Sequence, residues 1–487
     1  MEYKINGYEP KRLFEHFEDF SAVPRGSFHN EKISAFLVAF AEKNGLEYIR
    51  DEALNVIIKK PGQNGGEDKP PLILQGHMDM VCEKVHGCDH DFETQGIDMY
   101  VTDDGWLTAN GTTLGGDDGI ADAMMMTILE DKELPHPPLE CVFTTDEEVG
   151  LLGAEALDYS KLSARRMINI DSEDEGIVTV SCAGGMDYKL SRPLTRESKD
   201  GYVVSYLLKG LLGGHSGTDI TLEHRNANKL LARALNKVLL ADPGARLVNF
   251  NGGTKDNAIP REAEAELWFL TQKQAQDAEA LLRTMADRFY DEVHLVEPDI
   301  ESVISSPAKK VANVLTREDS TAVVHAVLLA PNGVRYKDPN MDYFVLTSLN
   351  LGVLKTEENE ALIWFAPRSS VDSLQEETLD LLQLTADTFG FTTSISGAYP
   401  GWEKVEGSPL VATMVDSWKD LYEEELKVEG IHAGLECGLF FKNLPGLDPV
   451  SIGPTMRGVH TPDEKMDLRS CEKTYAFLAD VLARLAK

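Results

Sequence analysis

Apolar residues recur at helical and strand spacings through the first 190 residues of the chain. A helix that begins at Pro10 places four large apolar side chains on one face, Leu13, Phe14, Phe17 and Phe20. A second helix is predicted over residues 30–44 and a third over residues 120–130. Short apolar runs between the helices predict strands over residues 55–59, 72–75, 141–144 and 167–170. This alternation of helices and strands predicts a layered α/β domain.

The pattern changes around residues 191–194, and we interpret residues 191–397 as a second domain inserted into the first. The first domain is then discontinuous and consists of residues 1–190 and 398–487. It resumes with a predicted helix, a strand and a final helix, over residues 410–424, 450–452 and 470–486. A chain of 487 residues is too long for one compact core, which agrees with this division into two domains.

A weak internal repeat is visible in the inserted domain, in the form of a helix followed by a pair of strands. The first copy has a helix over residues 226–240 and strands over 247–251 and 262–270. The second has a helix over residues 320–329 and strands over 345–354 and 361–366. Two such units favour a doubled domain, but two ordinary hairpins would give the same pattern, and both interpretations stay open.

Composition narrows the class of protein. Hydrophobic residues make up 42% of the chain and charged residues 26%, which is typical of a globular protein. The apolar runs fall far short of the roughly 18 residues that cross a bilayer, and residues 1–4 lack a basic and then apolar export signal. Six cysteines are scattered without a CxxC pair, as expected of free thiols in a reducing cytoplasm.

The formal net charge of −34 excludes two classes of partner. A surface this acidic repels phosphate backbones and anionic lipids, so we expect neither nucleic acid nor a membrane as a partner. The charge does not by itself imply a cationic substrate, because acidic surfaces also serve solubility.

Histidines and acids stand at the ends of the predicted strands or in the loops that follow them. These residues are His77, Asp79, Asp117, Asp118, Glu147, Glu148, Asp171 and, much later, His460. Ligand and metal sites collect at the carboxyl ends of strands in α/β sheets. Imidazole and carboxylate without thiolate suit a catalytic zinc, cobalt or manganese site better than a structural zinc site.

Each of these motifs is weak when it stands alone. A single His-x-Asp is commonly a turn histidine beside a solvated carboxylate, and adjacent acids are usually a charged loop. The context of Glu147 and Glu148 is unusual, because a buried strand delivers them together with Asp146. Three carboxylates in that position repel one another unless a cation neutralises them.

Together the motifs resemble a family. Four segments carry the resemblance: QGHMD at residues 75–79, GGDDG at 115–119, TDEEVG at 145–150 and GVHTP at 458–462. They resemble the co-catalytic zinc peptidases, a group that includes tripeptide aminopeptidase, the glutamate-releasing carboxypeptidases and the acylamino-acid deacylases. Within this group the full chain resembles the bacterial aminoacyl-histidine dipeptidases, through the further segments GGHSG at 213–217, NAIP at 257–260, APRSS at 366–370 and HAGLECG at 432–438.

The resemblance implies a zinc-peptidase catalytic domain with a mixed central sheet flanked by helices, plus an inserted α+β lid domain. It implies two divalent metal ions, zinc or alternatively cobalt or manganese. His77 and Asp171 would bind one ion, Glu148 and His460 the other, and Asp117 would bridge the two. Asp118 competes with Asp117 for the bridge, and the family pattern favours Asp117, with a cis peptide bond between them.

The resemblance also implies the residues that act on the substrate. Glu147 would be the general base, and Asp79 would hydrogen-bond His77 and raise its basicity. His215 would donate to the oxyanion, although a histidine in a glycine-rich turn is as often a capping residue. The remaining residues would bind the substrate: Asn257 its backbone, Arg368 its α-carboxylate, and Gly434 and Glu436 its other terminus.

We therefore expect a cytoplasmic metal-dependent dipeptidase that hydrolyses short peptides, in particular Xaa-His dipeptides such as carnosine. Two alternatives remain, an amidohydrolase that deacylates N-acyl amino acids and a metal-binding scaffold without activity. The length of the inserted domain argues against the first, because a lid with a single unit needs about half as many residues. Monomer and homodimer through the lid domain both remain open.

Overall fold

The computed structural model describes residues 3–341 and 344–487. Unit 1 consists of Met1–Cys182, Trp402–Gly430 and Leu435–Lys487, and unit 2 consists of Ala183–Gly401 and Ile431–Gly434. Residues 1 and 2, which begin the segment without an export signal, lie outside the described residues. Residues 431–434, which the sequence interpretation assigned to the discontinuous domain, belong to unit 2, where the amide of Ala183 donates to the carbonyls of Ile431 and Ala433.

The strands and helices are numbered here in chain order. The strands of unit 1 are β1 Glu47–Arg50, β2 Val56–Lys60, β3 Leu72–His77, β4 Met99–Val101, β5 Trp106–Ala109, β6 Leu139–Thr144, β7 Arg166–Asn169, β8 Ile177–Cys182, β19 Lys427–Ile431, β20 Asp448–Ser451, β21 Met456–Arg457 and β22 Lys465–Asp467. The helices of unit 1 are α1 Lys11–Ser21, α2 Glu31–Asn44, α3 Gly116–Glu130, α4 Leu152–Ala156, α9 Pro409–Tyr422, α10 Cys437–Asn443 and α11 Leu468–Leu485.

Eight strands form the main sheet of unit 1, in the order β1-β2-β6-β3-β7-β20-β8-β19. The four central strands, β6, β3, β7 and β20, run parallel, and their side chains are almost all buried. Such continuous apolar strands are typical of a sheet that is covered on both faces. The mixed sheet that the sequence predicts is therefore present, and the carboxyl ends of its central strands lie at one edge.

The helices of unit 1 form where the apolar pattern predicts them. In α1 the side chains of Leu13, Phe14, Phe17 and Phe20 are buried, because they recur on one face of the helix. Helix α2 ends at Gly45, whose φ of 67° is the left-handed conformation that glycine adopts without steric cost. In α3 every residue from Gly116 to Leu129 is buried, which explains the nearly unbroken apolar sequence after its two acids.

A small antiparallel sheet, β21-β22-β5-β4, joins the end of the chain to its first third. Strand β22 pairs with β5, so that Met466 lies opposite Leu107. Strands β21 and β22 are connected by the turn that carries His460. Through this pairing, His460, which lies 289 or more positions after His77 and the acids, joins them in unit 1.

Unit 2 contains one large sheet with helices packed against it. Its strands are β9 Gly184–Pro193, β10 Arg196–Lys209, β11 Arg246–Gly252, β12 Ala263–Phe269, β13 Glu301–Ile304, β14 Ala308–Leu315, β15 Gly333–Asp338, β16 Phe344–Thr356, β17 Glu360–Ser369 and β18 Thr392–Tyr399. Its helices are α5 Ala227–Ala241, α6 Gln272–Val293, α7 Arg317–Leu329 and α8 Asp372–Phe389.

The two halves of this sheet have the same construction. The strand order is β13-β10-β12-β11-β16-β17-β9-β18, and the halves meet where β11 pairs with β16. Counted from this junction outward, the first half has β11, β12, β10 and β13, and the second has β16, β17, β9 and β18. The first half is continuous in sequence, whereas β9 of the second half precedes it. The first half is therefore inserted in sequence within the second, and we propose that the two halves are copies of one repeat.

Packing between helices joins the two halves. Helices α5 and α7 lie side by side over a shared apolar core. The ammonium of the half-buried Lys229 on α5 donates to the carbonyls of Val327, Leu328 and Ala330, at distances of 2.7, 2.9 and 2.7 Å. These carbonyls end α7 and have no partner within that helix, so Lys229 satisfies them and ties one half to the other.

The described part of the chain contains no helix that is both long enough and apolar enough to cross a membrane. All six cysteines are free thiols, and only Cys82 among them is exposed.

Candidate metal centre

Three adjacent parallel strands of unit 1 place the predicted ligands at one edge of the sheet. His77 is the last residue of β3, Glu147 and Glu148 follow β6, and Asp171 follows β7. His77 lies opposite Thr144 of β6, and Gln75 lies opposite Asn169 of β7, so the ends of the three strands are in register. Side chains that are distant in sequence therefore converge, as expected for loops at the carboxyl edge of a parallel sheet.

Asp117 lies between the two histidines. Its Oδ1 is 3.0 Å from Nε2 of His77, and its Oδ2 is 3.1 Å from Nε2 of His460. Nε2 of His460 is also 2.9 Å from Oε2 of Glu148, and Nε2 of His77 is 3.9 Å from Oδ1 of Asp171. Asp117 thus belongs to two groups of side chains, one with His77 and Asp171 and one with Glu148 and His460.

The neighbouring acid, Asp118, points away from the histidines. Its Oδ2 accepts a hydrogen bond of 3.2 Å from the backbone amide of His77, and its side chain is fully buried. The peptide bond between Asp117 and Asp118 is cis, as the resemblance implies. Of the two acids that the sequence leaves in competition, the geometry therefore favours Asp117 for a bridging position.

The distances fit metal ions. Ligand atoms bound to one zinc ion at about 2.1 Å lie at most about 4.2 Å apart. The four pairs around Asp117 span 2.9 to 3.9 Å, so each group can hold one ion without large movements. The buried Oε1 of Glu148 has no hydrogen-bond partner, which is consistent with a ligand atom.

Glu147 and Asp79 lie beside this cluster. Oε2 of Glu147 is 4.0 Å from Nε2 of His77, so Glu147 belongs to a third group with His77 and Glu148 and is an alternative ligand on geometry alone. Asp79 places Oδ1 at 3.4 Å from Nδ1 of His77, and the same oxygen accepts the backbone amide of Glu147 at 3.1 Å. Asp79 thereby orients both the histidine and the start of the acidic loop.

The cluster is electrostatically strained without a cation. Burial holds the pKa of Asp171 well above its ordinary value and raises the pKa of Glu147 to about 8. Hydrogen bonds to Asp117 and Glu148 raise the pKa of His460 to about 11. The protein alone thus balances its acids with protonated groups, and divalent cations could take the place of those protons.

Two supporting residues were not predicted from the sequence. The buried Arg25 donates from Nη1 to the carbonyls of Met78 and Asp79, at 3.2 and 2.9 Å, and from Nη2 to the carbonyl of Gly115. A side chain at Gly115 would collide with this guanidinium, since a Cβ there would lie 2.5 Å from Nη2. Arg25 therefore joins the loop after β3 to the loop before α3.

Glu464 is the second supporting residue. Its carboxylate accepts the amides of Leu114, Gly115 and Gly116, at 2.7, 3.0 and 2.8 Å. It lies four residues after His460, so it fixes the turn that carries this histidine to the loop that carries Asp117. In the sequence, Glu464 stands out only as an acid close to the segment GVHTP, and Arg25 only as an arginine close to the first helix. Neither position tells which backbone groups the side chain binds.

Unit 2 contains four of the predicted substrate residues. His215 lies in a turn, where its Nδ1 accepts the amides of Gly217 and Thr218, both at 3.3 Å. In the neutral ring the proton is then on Nε2, which is left as a donor. Asn257 is exposed, and its carbonyl accepts the amide of Ser216 at 2.8 Å, so it shares this turn with His215.

Arg368 lies near the end of β17, close enough to His215 to lower the pKa of that histidine, after the larger effect of burial. Its Nη1 donates to the hydroxyl of Tyr399 at 2.8 Å. Gly434 packs against the ring of Tyr399, where a Cβ would lie 2.6 Å from the ring. The sequence interpretation left His432 unassigned, and its Nε2 is 2.7 Å from the hydroxyl of Ser348.

The interpretation of Glu436 as a partner of the substrate amine needs correction. Glu436 is fully buried in unit 1, where its Oε2 accepts hydrogen bonds from Nε2 of Gln75 at 2.5 Å and from the hydroxyl of Thr144 at 2.7 Å. A group with no exposed surface does not meet a substrate. Glu436 instead joins the residue before α10 to strands β3 and β6.

Comparison with known proteins places this geometry in context. The model of peptidase family M20/M25/M40 matches residues 73–484. The chain is 35% identical over 484 residues to the cytosol non-specific dipeptidase of Escherichia coli (strain K12), with 99% of each chain covered. Among solved structures, the aminoacylhistidine dipeptidase from Vibrio alginolyticus superposes with a TM-score of 0.93 and 36% identity, over 99% of this chain and 98% of that one.

A more distant solved structure is similar in fold alone. The aminopeptidase PepT from Bacillus cereus superposes with a TM-score of 0.56 at 17% identity, over 99% of this chain and all of that one.

Substitution of the two adjacent acids should separate their roles. We expect Asp117→Ala to lose at least one of two bound divalent ions, because Asp117 belongs to both groups of side chains. Asp118→Asn is the matched control and should keep both ions, since the side-chain oxygen of asparagine can still accept the hydrogen bond from the backbone amide of His77. Metal content measured by atomic emission after dialysis checks this prediction. Retention of two ions by Asp117→Ala would contradict the bridging position.

Glu436 gives a prediction about pH. Burial raises the pKa of Glu436 to about 7 in the folded protein, above its value in the unfolded chain. The protonated carboxyl therefore stabilises the fold at low pH, and this stabilisation is lost as the pH rises through about 7. In metal-free protein, Glu436→Gln should match the wild type at pH 4.5 and exceed its free energy of unfolding by roughly 3 kcal/mol at pH 8.5. Urea unfolding at both pH values checks this, and an equal difference at both would show that Glu436 does not titrate as described.

Proposed function

This chain belongs to peptidase family M20/M25/M40, and we propose that it hydrolyses dipeptides with the help of two divalent metal ions. The observation that carries the proposal is the carboxylate of Asp117, whose two oxygens face His77 on one side and His460 on the other. The full-length similarity to a dipeptidase from Escherichia coli supports the substrate class.

His77 and Asp171 would hold one ion, Glu148 and His460 the other, and Asp117 both. We propose zinc, because nitrogen and oxygen donors without thiolate suit a catalytic zinc site, and the same donors accept cobalt or manganese. When bound, the two ions would polarise the peptide carbonyl and lower the pKa of a water molecule. Asp79 keeps the ring of His77 in the orientation that its Nε2 requires.

Glu147 is proposed as the general base. Its carboxylate lies beside the cluster, with Oε2 4.0 Å from Nε2 of His77, so it can reach a water molecule held there without being a hydrogen-bond partner of the histidine. It would accept the proton of the attacking water and deliver it to the leaving amine. His215 would donate from Nε2 to the oxyanion, since its Nδ1 is occupied as an acceptor.

The residues of unit 2 are proposed to bind the ends of the dipeptide. Arg368 would bind the α-carboxylate through two parallel hydrogen bonds, which limits substrates to short peptides. Asn257 would bind the substrate backbone, and the backbone at Gly434 would contact the substrate beside Tyr399. Xaa-His dipeptides such as carnosine are included among the proposed substrates, because the relative from Vibrio alginolyticus is named an aminoacylhistidine dipeptidase.

We also propose that the protein acts in the cytoplasm, without nucleic acid or membrane as a partner. The relative named a cytosol dipeptidase and the free thiols support this location. A homodimer through unit 2 is an alternative to a monomer.

The proposed activity is tested by three substrates and one substitution. Metal-loaded protein should hydrolyse carnosine and Ala-Ala but leave an acetyl-amino acid intact, whereas hydrolysis of the acetyl-amino acid alone would favour a deacylase. Glu147→Gln should keep both ions and lose roughly a thousandfold in kcat, because proton transfer is lost while the ligands remain. Loss of an ion from this variant would instead identify Glu147 as a ligand.

The role of Arg368 is tested by removing its proposed partner on the substrate. The wild type should prefer Ala-Ala over its C-terminal amide by about 10- to 100-fold in kcat/KM, as expected for a charge-assisted hydrogen bond. Arg368→Ala should abolish this preference and leave metal content unchanged. Arg335→Ala, a half-buried arginine of the same unit, is the control and should retain the preference. A preference that survives Arg368→Ala would contradict the assignment.

A further inference from the structure

Phe28 is an exposed aromatic residue in a strained backbone conformation. It lies in the loop between α1 and α2, and 63% of its surface is exposed. Its φ of 66° falls in the left-handed region, which costs a residue with a bulky side chain about 1–2 kcal/mol. Exposure of an apolar ring and backbone strain both oppose stability, and strain of this kind is concentrated at functional sites.

Residues of the metal centre hold this loop in place. The amide of Phe28 and the side-chain amide of Asn30 both donate to Oδ1 of Asp146, each at 2.6 Å. The hydroxyl of Ser27 donates to Oδ2 of Asp79 at 2.8 Å. Asp146 precedes Glu147, and Asp79 contacts His77, so the position of Phe28 is fixed relative to the cluster.

Phe28 forms one wall of a pocket of about 460 Å³ that adjoins the metal centre within unit 1. Glu148 also lines the pocket, which therefore begins at a proposed metal ligand. Four apolar side chains from three further segments, Met80, Val81, Phe92 and Val149, also line the pocket, together with the imidazole of His29. A volume of this size is ample for an amino-acid side chain.

The charge of the pocket indicates which end of a dipeptide it fits. Glu83 and Glu93 line it together with Glu148, and its described lining contains no lysine or arginine. The ammonium of the neighbouring Lys32 donates to the carbonyl of Glu93 at 2.6 Å. An α-carboxylate would be repelled here, whereas an apolar side chain beside a free amine would be accepted.

We propose that this pocket receives the side chain of the N-terminal residue of the substrate and that Phe28 determines its preference for large apolar residues. The inference rests on the proposed dipeptidase function. Phe28 packs against the substrate side chain, and Glu83 and Glu93 disfavour acidic residues at that position. The C-terminal residue does not occupy the pocket, so selectivity at the two positions of a dipeptide is separable.

Three dipeptides test the role of Phe28. The wild type should cleave Leu-Ala with a higher kcat/KM than Ala-Ala, and Phe28→Ala should reduce this ratio about tenfold, the effect expected for lost contact with a few methylene groups. The ratio of Ala-Leu to Ala-Ala should stay the same. Tyr100→Ala removes an exposed aromatic residue elsewhere in unit 1 and should change neither ratio. An unchanged Leu-Ala ratio, or an equal change in both ratios, would overturn the proposal.

A charge substitution tests the acidic lining with a variant that leaves the loop of Phe28 intact. Glu93→Lys should raise kcat/KM for Asp-Ala relative to Ala-Ala by several-fold at low salt, and the gain should shrink at 0.5 M salt because the carboxylate is exposed. A wild-type ratio in this variant would show that the acids do not select against acidic residues.

Binding separates failure of this inference from failure of the proposed function. Calorimetric titration of metal-loaded Glu147→Gln with Leu-Ala and Ala-Ala gives affinities without turnover. If the wild type cleaves none of the peptides, the proposed function fails. The pocket is then supported if Phe28→Ala in this background selectively weakens binding of Leu-Ala, and it is overturned if the two peptides bind equally with and without Phe28.

Discussion

Mutual repulsion among carboxylates that are at least half-buried is the constraint on which unit 1 depends. Asp117, Glu147, Glu148 and Asp171 meet at the carboxyl edge of four parallel strands, where water is largely excluded and like charges are costly to bring together. Such a cluster needs either protonation of its acids or nearby positive charge, and the chain supplies two histidines, one on each side of Asp117. A fold that assembles these acids at one edge is therefore built for cations from outside the chain.

The loops that carry the acids are held by two charged side chains that form hydrogen bonds with backbone groups. The guanidinium of Arg25 donates hydrogen bonds to carbonyls of two loops, and the carboxylate of Glu464 accepts hydrogen bonds from three amides of one of these loops. These contacts fix backbone positions without placing another charge beside the proposed metal ligands. The strained loop at Phe28 is tied to the same framework through Asp79 and Asp146, which links a surface feature to the geometry of the centre.

Much of this arrangement is predictable from the sequence, and the exceptions have physical reasons. Strands such as β3 and β6 are buried on both faces, so their apolar runs identify them and the residues that follow them. The residue types alone do not rank Asp117 and Asp118, because only the backbone turn decides which of them faces the histidines, and the preference for Asp117 came from the resemblance. Arg25 and Glu464 act through backbone atoms far away in sequence, which leave no motif. The resemblance assigned Glu436 to the substrate, whereas packing buries its carboxylate against Gln75 and Thr144, which no local pattern reveals.

The insertion of one half of the sheet inside the other in sequence sets an order of assembly for unit 2. Strand β10 pairs with β12, which follows it within about 70 residues. The half of the sheet that is continuous in sequence can therefore form as soon as it has been synthesised. Strand β9 pairs with β17 and β18, which follow it by roughly 170 to 200 residues. At typical rates of translation, β9 waits on the order of 10 to 30 s for its neighbours. During that interval β9 is an unpaired strand with apolar residues such as Tyr188 and Leu190. The contacts of unit 2 that form last are therefore those between β9 and its partners β17 and β18.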